Sequence, residues 1–307
     1  ILRCLVGSEM CIRDSSDIDM VATTFKDNTI EWYENVTGSF VAEHNVISNA
    51  WSVHGLRLAD LDRDHDLDII YSSSLYGHIT WLPNDGSGNF GAPQTVDNTL
   101  GFPYEIQVAD LDHDNDLDIV SGAGDSTDVA WFENDGDGNF TTRHEISNSI
   151  YQVASIAPHD IDNDGLTDLV MCSGWEDEVC WFKNLGGGNF GPKLVIDSMS
   201  DGANDVKVAD FDGDSLPDIL SVATVDYKTG WYKNMGNGTF SSKNIITTSA
   251  NRPERLTVFD SDLDGDMDFA LAVGHYEFLW TYLNDGAGNF SFNLSLIHIS
   301  EPTRHRR

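Results

Sequence analysis

Basic residues are scarce in this chain. Its 307 residues hold 17 Lys and Arg against 51 Asp and Glu, a formal net charge of −34 at pH 7. So negative a chain repels phosphate backbones, and no nucleic-acid partner is expected. Long apolar runs are missing too. None approaches the ~20 residues of a spanning helix, so this fragment is expected to have no membrane span. No segment carries a 3.6-residue apolar stripe, and neither G-x-S-x-G nor H-E-x-x-H occurs. Cysteines number four. Cys172 and Cys180 flank Gly174 to Glu178, which reads as a hairpin connection. A turn centred on Glu176 would set them opposite each other, leaving a cross-strand disulfide and two small buried hydrophobes both open.

The two ends read differently from the rest. Leu294 to Arg304 spells LSLIHISEPTR, which back-translates to something resembling a sequencing-library adaptor. The opposite strand of the same oligonucleotide, in another frame, encodes the run from Leu5 to Ser15. Residues 1–15 and 294–307 are therefore set aside as adaptor-derived, and 16–293 is read as an incomplete domain. Further domains, and a signal or sorting segment, are expected in the full-length protein. Without the two ends, 12 basic residues face 48 acidic ones.

Much of that acid is periodic. Five Asp-rich loops begin at Asp60, Asp110, Asp160, Asp210 and Asp260, 50 residues apart. They hold 23 of the 48 acids, so the charge is mostly a metal-site signature. Each keeps Asp at positions 1, 3, 5 and 9. Short carboxylates at alternate positions can fold several hard oxygens around one ion, and calcium takes ~6–8 oxygens. Side chains at 1, 3, 5 and 9 can supply four, and the carbonyl at position 7 another. The candidate ligands are Asp60, Asp62, Asp64, Asp66 and Asp68, then Asp110, Asp112, Asp114, Asp116 and Asp118. The series continues with Asp160, Asp162, Asp164, Leu166 and Asp168, and with Asp210, Asp212, Asp214, Leu216 and Asp218. It ends with Asp260, Asp262, Asp264, Asp266 and Asp268. Leu at position 7 suits a backbone ligand. Position 6 is His65, Asn115, Gly165, Ser215 or Gly265, and Gly and Asn there suit a bend with positive φ. An EF-hand would need Glu at position 12, where these loops have Tyr71, Ser121, Met171, Ser221 and Leu271.

The rest of the repeat reads as strands. In 105–146 a strand over 105–109 precedes the Asp loop, and others follow at 118–122, 128–132 and 140–146. Asn134 to Asn139 is a run of turn formers. Four short antiparallel strands per ~50 residues describe a propeller blade. Trp81, Trp131, Trp181 and Trp231 keep the period, with Trp32 one residue out of step. So do Phe40, Phe90, Phe140, Phe190, Phe240 and Phe290. These aromatics are expected to pack between blades. Thr281 occupies the Trp position of the last repeat beside Trp280, where a bulge is expected. Asp17 to Val21 matches Asp66 to Ile70, so a sixth Asp loop is entered midway. The fold class is all-β, a β-propeller with six blade cores visible, and closing the ring is expected to need seven or more.

The D-x-D-x-D-x-x-x-D loops, the N-D-G-x-G-N-F turns at Asn84, Asn134 and Asn284, and Phe90-Gly91-Ala92-Pro93 resemble the FG-GAP/VCBS-type repeat. That family builds the β-propeller of integrin α subunits and many bacterial secreted proteins. The resemblance covers about 16–293. It implies Ca2+ at Asp60, Asp62, Asp64 and Asp68 and at their equivalents, about five ions in all. It also implies a secreted or cell-surface setting and an adhesion or ligand-binding role. The Asn184 and Asn234 turns depart from the motif.

The first functional reading is a non-catalytic module with structural calcium and an extracellular protein or glycan ligand. The family places the Asp loops and the N-D-G turns on one face, so the variable connections fall on the other. Trp51, Tyr76, Tyr104, Tyr151 and Trp175 mark that candidate ligand face, with Phe102, Tyr227 and Tyr276 beside them. The alternative is a propeller-type polysaccharide lyase, or the accessory module of a larger secreted enzyme. His54, His78, His144 and His275 would be its candidate bases by type alone.

Overall fold

The computed structural model describes residues 2–5, 18–24, 27–274 and 278–297. The chain is an all-β propeller of six four-stranded antiparallel blades, each a meander with its strands in sequence order. Blade 1 comprises β1 Leu2–Leu5, β2 Met20–Thr24, β3 Thr29–Val36 and β4 Ser39–Ser48. Blade 2 is built from β5 Val53–Ala59, β6 Asp68–Ser73, β7 His78–Leu82 and β8 Gln94–Asp97. In blade 3 the strands are β9 Pro103–Ala109, β10 Asp118–Ala123, β11 Val129–Asn134 and β12 Phe140–Ser147. Blade 4 has β13 Val153–His159, β14 Asp168–Ser173, β15 Glu178–Phe182 and β16 Leu194–Asp197. Blade 5 follows with β17 Ala203–Ala209, β18 Asp218–Ala223, β19 Lys228–Tyr232 and β20 Asn244–Thr247. Blade 6 ends the series with β21 Pro253–Phe259, β22 Asp268–Val273, β23 Phe278–Asn284 and β24 Phe290–Ile297. Strands thus also occupy 2–5 and 294–297, within the ends set aside above.

Two compact units divide the chain, 1–158 with 184–192, and 159–183 with 193–307. Each has its own core. In the first, Trp81, Leu100, Ile106, Ile119 and Phe132 form one cluster, and Ile30, Trp32, Leu56, Ile69 and Tyr71 another. In the second, Phe211, Leu220, Trp231, Leu256 and Phe269 cluster. The second strand of a blade is buried on both faces, as at β6, β10, β14 and β18. Its runs of Ile, Val and Leu therefore need no polar alternation.

The periodic tryptophans are buried, Trp81, Trp131, Trp181 and Trp231 all at 6% exposure or less. Trp32 belongs with them. It pairs with Val21 as Trp81 pairs with Ile70, and stacks on His44 as Trp131 stacks on His144. Its one-residue offset is taken up in the following turn, which is shorter by one between Asn35 and Phe40 than between Asn84 and Phe90. Phe40 is exposed, so the packing role expected of it is corrected. Phe290 does pack, edge-on against Phe211 and Phe269. In blade 6 a register shift falls at Thr281/Tyr282, where the bulge was expected.

The cysteine geometry also needs correction. The register sets Cys172 against Val179, and Cys180 against Met171. The turn thus centres half a residue earlier than expected. Because side chains alternate along a strand, the two cysteines face opposite sides of the sheet. Both are buried and no disulfide joins them.

Candidate metal centre

Each Asp loop joins the first and second strands of a blade. In an antiparallel meander the third-to-fourth turn returns to the same end, and the remaining connections lie at the other. Hydrogen bonds tie loop and turn together. The Asp68 carboxylate accepts from the backbone N–H of Leu61, within its loop, and of Asn84, in the turn, both at 2.9 Å. Asp118, Asp218 and Asp268 repeat both bonds. Asp19 accepts from Asn35 N–H at 2.8 Å, so it holds the position 9 place of a sixth loop.

Within a loop the backbone curls around its own carboxylates. Asp60 accepts from His65 N–H, and Asp64 from Asp66 N–H. Position 6 takes positive φ, as expected, at His65, Asn115, Gly165, Ser215 and Gly265. Position 4 does so as well, at Arg63, His113, Asn163, Gly213 and Leu263. Nothing in those residue types announces it. The carboxylate at position 1 imposes it, by accepting from the position 4 N–H at His113, Gly213 and Leu263.

The loops bring positions 1, 3 and 9 together. In each of the five, one oxygen from each of those residues lies within 4.8 Å of the others, as with Asp60, Asp62 and Asp68. Asp64, Asp114, Asp164, Asp214 and Asp264 stand outside the triads, each near the rim. Those of loops one, two, three and four each give an oxygen to the position 7 N–H, as does Asp264. At position 7 the side chains of Asp66, Asp116 and Asp266 lie over Gly86, Gly136 and Gly286 of the adjoining turn, and Leu216 lies near Gly236. Leu166 has the corresponding place in the third loop, half-buried.

The donor set fits a hard cation. Oδ1 of Asp60, Asp62, Asp162 and Asp212 is buried without a hydrogen-bond partner. Such oxygens are costly unless something neutralises them. Burial pushes Asp68, Asp118 and Asp218 up to about 7, against the pull of the two N–H groups each accepts. Burial also raises Asp62 and Asp112, with the neighbouring Asp64 and Asp114 charges adding to it. Every donor of a triad is a carboxylate oxygen, a set that could hold a hard divalent cation such as calcium, magnesium or manganese.

The turns latch consecutive blades. Asn134 Nδ2 donates to Leu117 O in its own loop and to Leu61 O in the preceding one. Asn184, Asn234 and Asn284 reach back likewise to Leu111, Ile161 and Phe211. The Trp of blades 2, 3, 4 and 5 meets a turn glycine of the next. A Cβ on Gly188 would lie 2.1 Å from Trp131, whose Nε1 donates to Gly188 O at 3.0 Å. The departing turns keep this geometry by other bonds. Asn189 Nδ2 donates to Gly186 and Gly187 carbonyls, and Thr239 Oγ1 to Gly236 O.

With this geometry established, the family follows. FG-GAP-like repeats match at residues 15–71, 116–171, 160–221 and 210–271. The chain belongs to the FG-GAP-like repeat family. No curated protein is significantly similar to it in sequence. Among solved structures, an Agrocybe aegerita lectin that specifically recognises non-reducing terminal N-acetylglucosamine is similar, with 20% identity and a TM-score of 0.69, over 96% of this chain and 79% of the lectin. Virginiamycin B lyase from Staphylococcus aureus is similar at 14% identity and TM-score 0.65, over 98% of this chain and 89% of the lyase. The nidogen/laminin complex contributes a match at 12% identity and TM-score 0.59, over 91% and 92%. At these identities the likeness concerns the fold alone.

At the opposite end of the blades of this FG-GAP repeat chain, Trp51, Tyr76 and Trp175 are exposed, and Tyr104 and Tyr151 are half-buried. In blade 2 the connection and the hairpin meet, Ser73 Oγ donating to Trp51 O at 2.7 Å. Tyr76 stacks on His78, and His54 lies 4.4 Å from the Tyr104 ring. His144 stacks on Trp131 and pairs with Glu133 at 2.8 Å. Tyr276 and His275 lie outside the described residues. Sequence reasoning passed over Leu75, Met199 and Val225, all more than half exposed. Their signal was available, because Leu75 and Val225 hold the same place in the period as Trp175, and all three sit on connections whose residue types vary from blade to blade. No helix among the described residues is long and apolar enough to cross a membrane.

Proposed function

We propose that this FG-GAP repeat chain is a secreted or cell-surface module that binds a protein or glycan ligand, with calcium as a structural ion. The observation that carries the reading is the exposure of Trp51, Tyr76 and Trp175, at 41, 56 and 71%. Large aromatic rings standing in solvent are not needed by the core, and they suit stacking on sugar faces or gripping a protein. All three lie on connections away from the Asp loops of their own blades, so ligand binding and ion binding do not compete for side chains. The lectin and laminin-complex propellers show that this fold serves recognition elsewhere, which supports the reading by analogy. Extracellular calcium matches the affinity range of about 10⁻⁴–10⁻³ M for such modules.

The test is binding of the calcium-loaded chain to immobilised glycans and extracellular matrix proteins, compared with Trp51→Ala and Trp175→Ala. Each substitution is expected to weaken binding about tenfold or more, since aromatic anchors dominate such interfaces. Neither should move the melting temperature by more than about 1 °C, because exposed side chains contribute little to stability. Wild-type affinity in both variants would reject this placement of the ligand.

A further inference from the structure

We propose that Lys183 and Lys233 are tethered cations of the Asp160 and Asp210 loops. The five calcium loops then fall into two classes, three that rely wholly on the ion and two that carry part of its charge themselves. This inference rests on the calcium reading of the loops.

Each lysine follows directly on the third strand of its blade, after β15 and β19. Lys183 Nζ donates to Asp162 and, at 2.8 Å, to Asp164. Lys233 Nζ donates to Asp212 and, at 2.7 Å, to Asp214. Both ammonium groups thus span loop positions 3 and 5. In the other loops the equivalent residue is Pro83, Glu133 or Leu283, none of them cationic.

A second difference falls on the same two loops. Position 7 is Leu166 and Leu216 there, and Asp66, Asp116 and Asp266 elsewhere. The lysine-bearing loops therefore set an ammonium beside a triad carboxylate, Asp162 or Asp212, and lack the position 7 carboxylate that lies over the adjoining turn in the other three. Arg63 does pair with Asp116, but that side chain is outside the triad of Asp110, Asp112 and Asp118. The lysines leave the inner oxygens open, since Asp162 Oδ1 and Asp212 Oδ1 stay buried without a partner. They therefore lower affinity for a divalent ion by repulsion without blocking the site, and they relieve carboxylate repulsion when no ion is bound. As calcium rises, the Asp60, Asp110 and Asp260 loops fill first.

The experiment is calorimetric titration of calcium into the calcium-stripped full chain, with melting in EDTA as a second readout. Two affinity classes are expected, roughly tenfold apart for one added charge beside a divalent ion. Lys183→Met with Lys233→Met should remove the weaker class and lower the melting temperature in EDTA. Leu283→Lys should move one site from the tighter class to the weaker and raise that melting temperature. It decides the matter alone if the double variant does not fold. A single class, unmoved by either change, would overturn the inference and leave the calcium reading standing. No calcium binding at any site would overturn the calcium reading itself.

Discussion

The two ends of a blade obey different rules. At the Asp-loop end the position 9 carboxylates and the turn asparagines recur with the same partners from blade to blade, and the inner oxygens of Asp60, Asp62, Asp162 and Asp212 are left without one. Asp68 gives one oxygen to its loop and one to the turn, and Asn134 bonds two loops at once. At the other end equivalent positions of the period carry unlike residues, Leu75, Asp125, Trp175 and Val225, and Trp51, Leu75, Tyr76, Trp175 and Met199 are exposed there. Recurrence thus marks what a blade needs from its neighbour and from the ion. Its breakdown marks surface that structure leaves available for recognition.

Chelation breaks the comparison most strongly, because it acts on one end only. An ion held solely by the native chain at ten times its Kd contributes about 1.4 kcal/mol. Summed over the loops, and at about 2–4 °C per kcal/mol, EDTA should lower the melting temperature by roughly 10 °C or more. Scanning calorimetry with and without calcium checks this, and an unchanged transition would count against structural ions.

Acidity should act at the same end. In the calcium-free chain Asp68, Asp118 and Asp218 are held up to about 7, far above an unfolded aspartate. The native state then binds more protons than the unfolded one between about pH 4 and 7. Stability therefore falls as pH rises through that window. Melting in EDTA should drop by several degrees from pH 5 to pH 8, and saturating calcium should flatten the trend. A calcium-free chain that gained stability over this range would contradict the burial of these carboxylates.

The smallest and sharpest contrast uses two glycines. Gly188 has φ +67 and the Trp131 ring against it, while Gly77, in the β6–β7 hairpin, has φ +66 and nothing within 4 Å of an added Cβ. Gly77→Ala should cost about 1 kcal/mol, from backbone strain alone. Gly188→Ala should cost about 2–4 kcal/mol, because the ring must also move. Equal losses in urea denaturation would remove the packing role assigned to the latch.

Most of the fold was legible in the sequence because a blade repeats its physics. The strands of blade 3 were placed to within two residues, and the carboxylate triads that could hold an ion lie in the loops that the Asp spacing marked. What was not legible depends on register or on the next blade. Cys172 and Cys180 differ by half a residue in where their turn centres, which spacing does not reveal. The positive φ of His113 and Leu263 accompanies carboxylate hydrogen bonds that residue type does not announce. Lys183 and Lys233 are too far along the chain from Asp162 and Asp212 for the loop motif to include them. The turn glycines were read as bends, whereas Gly138, Gly188, Gly238 and Gly288 are also sockets for the preceding Trp.

Those sockets bear on how such a gene changes. Every described joint of this kind uses the same parts, a Trp on one blade and a glycine 57 residues later on the next. The repeats of blades 2 to 5, which carry the Trp, can therefore precede one another without a new solution at the seam. Unequal recombination that duplicates or drops a whole 50-residue unit leaves each joint satisfied, whereas a change of a few residues inside a unit does not. The latch thus makes the repeat the natural quantum of variation, and lets the exposed connections be reshuffled on blades that still fit together.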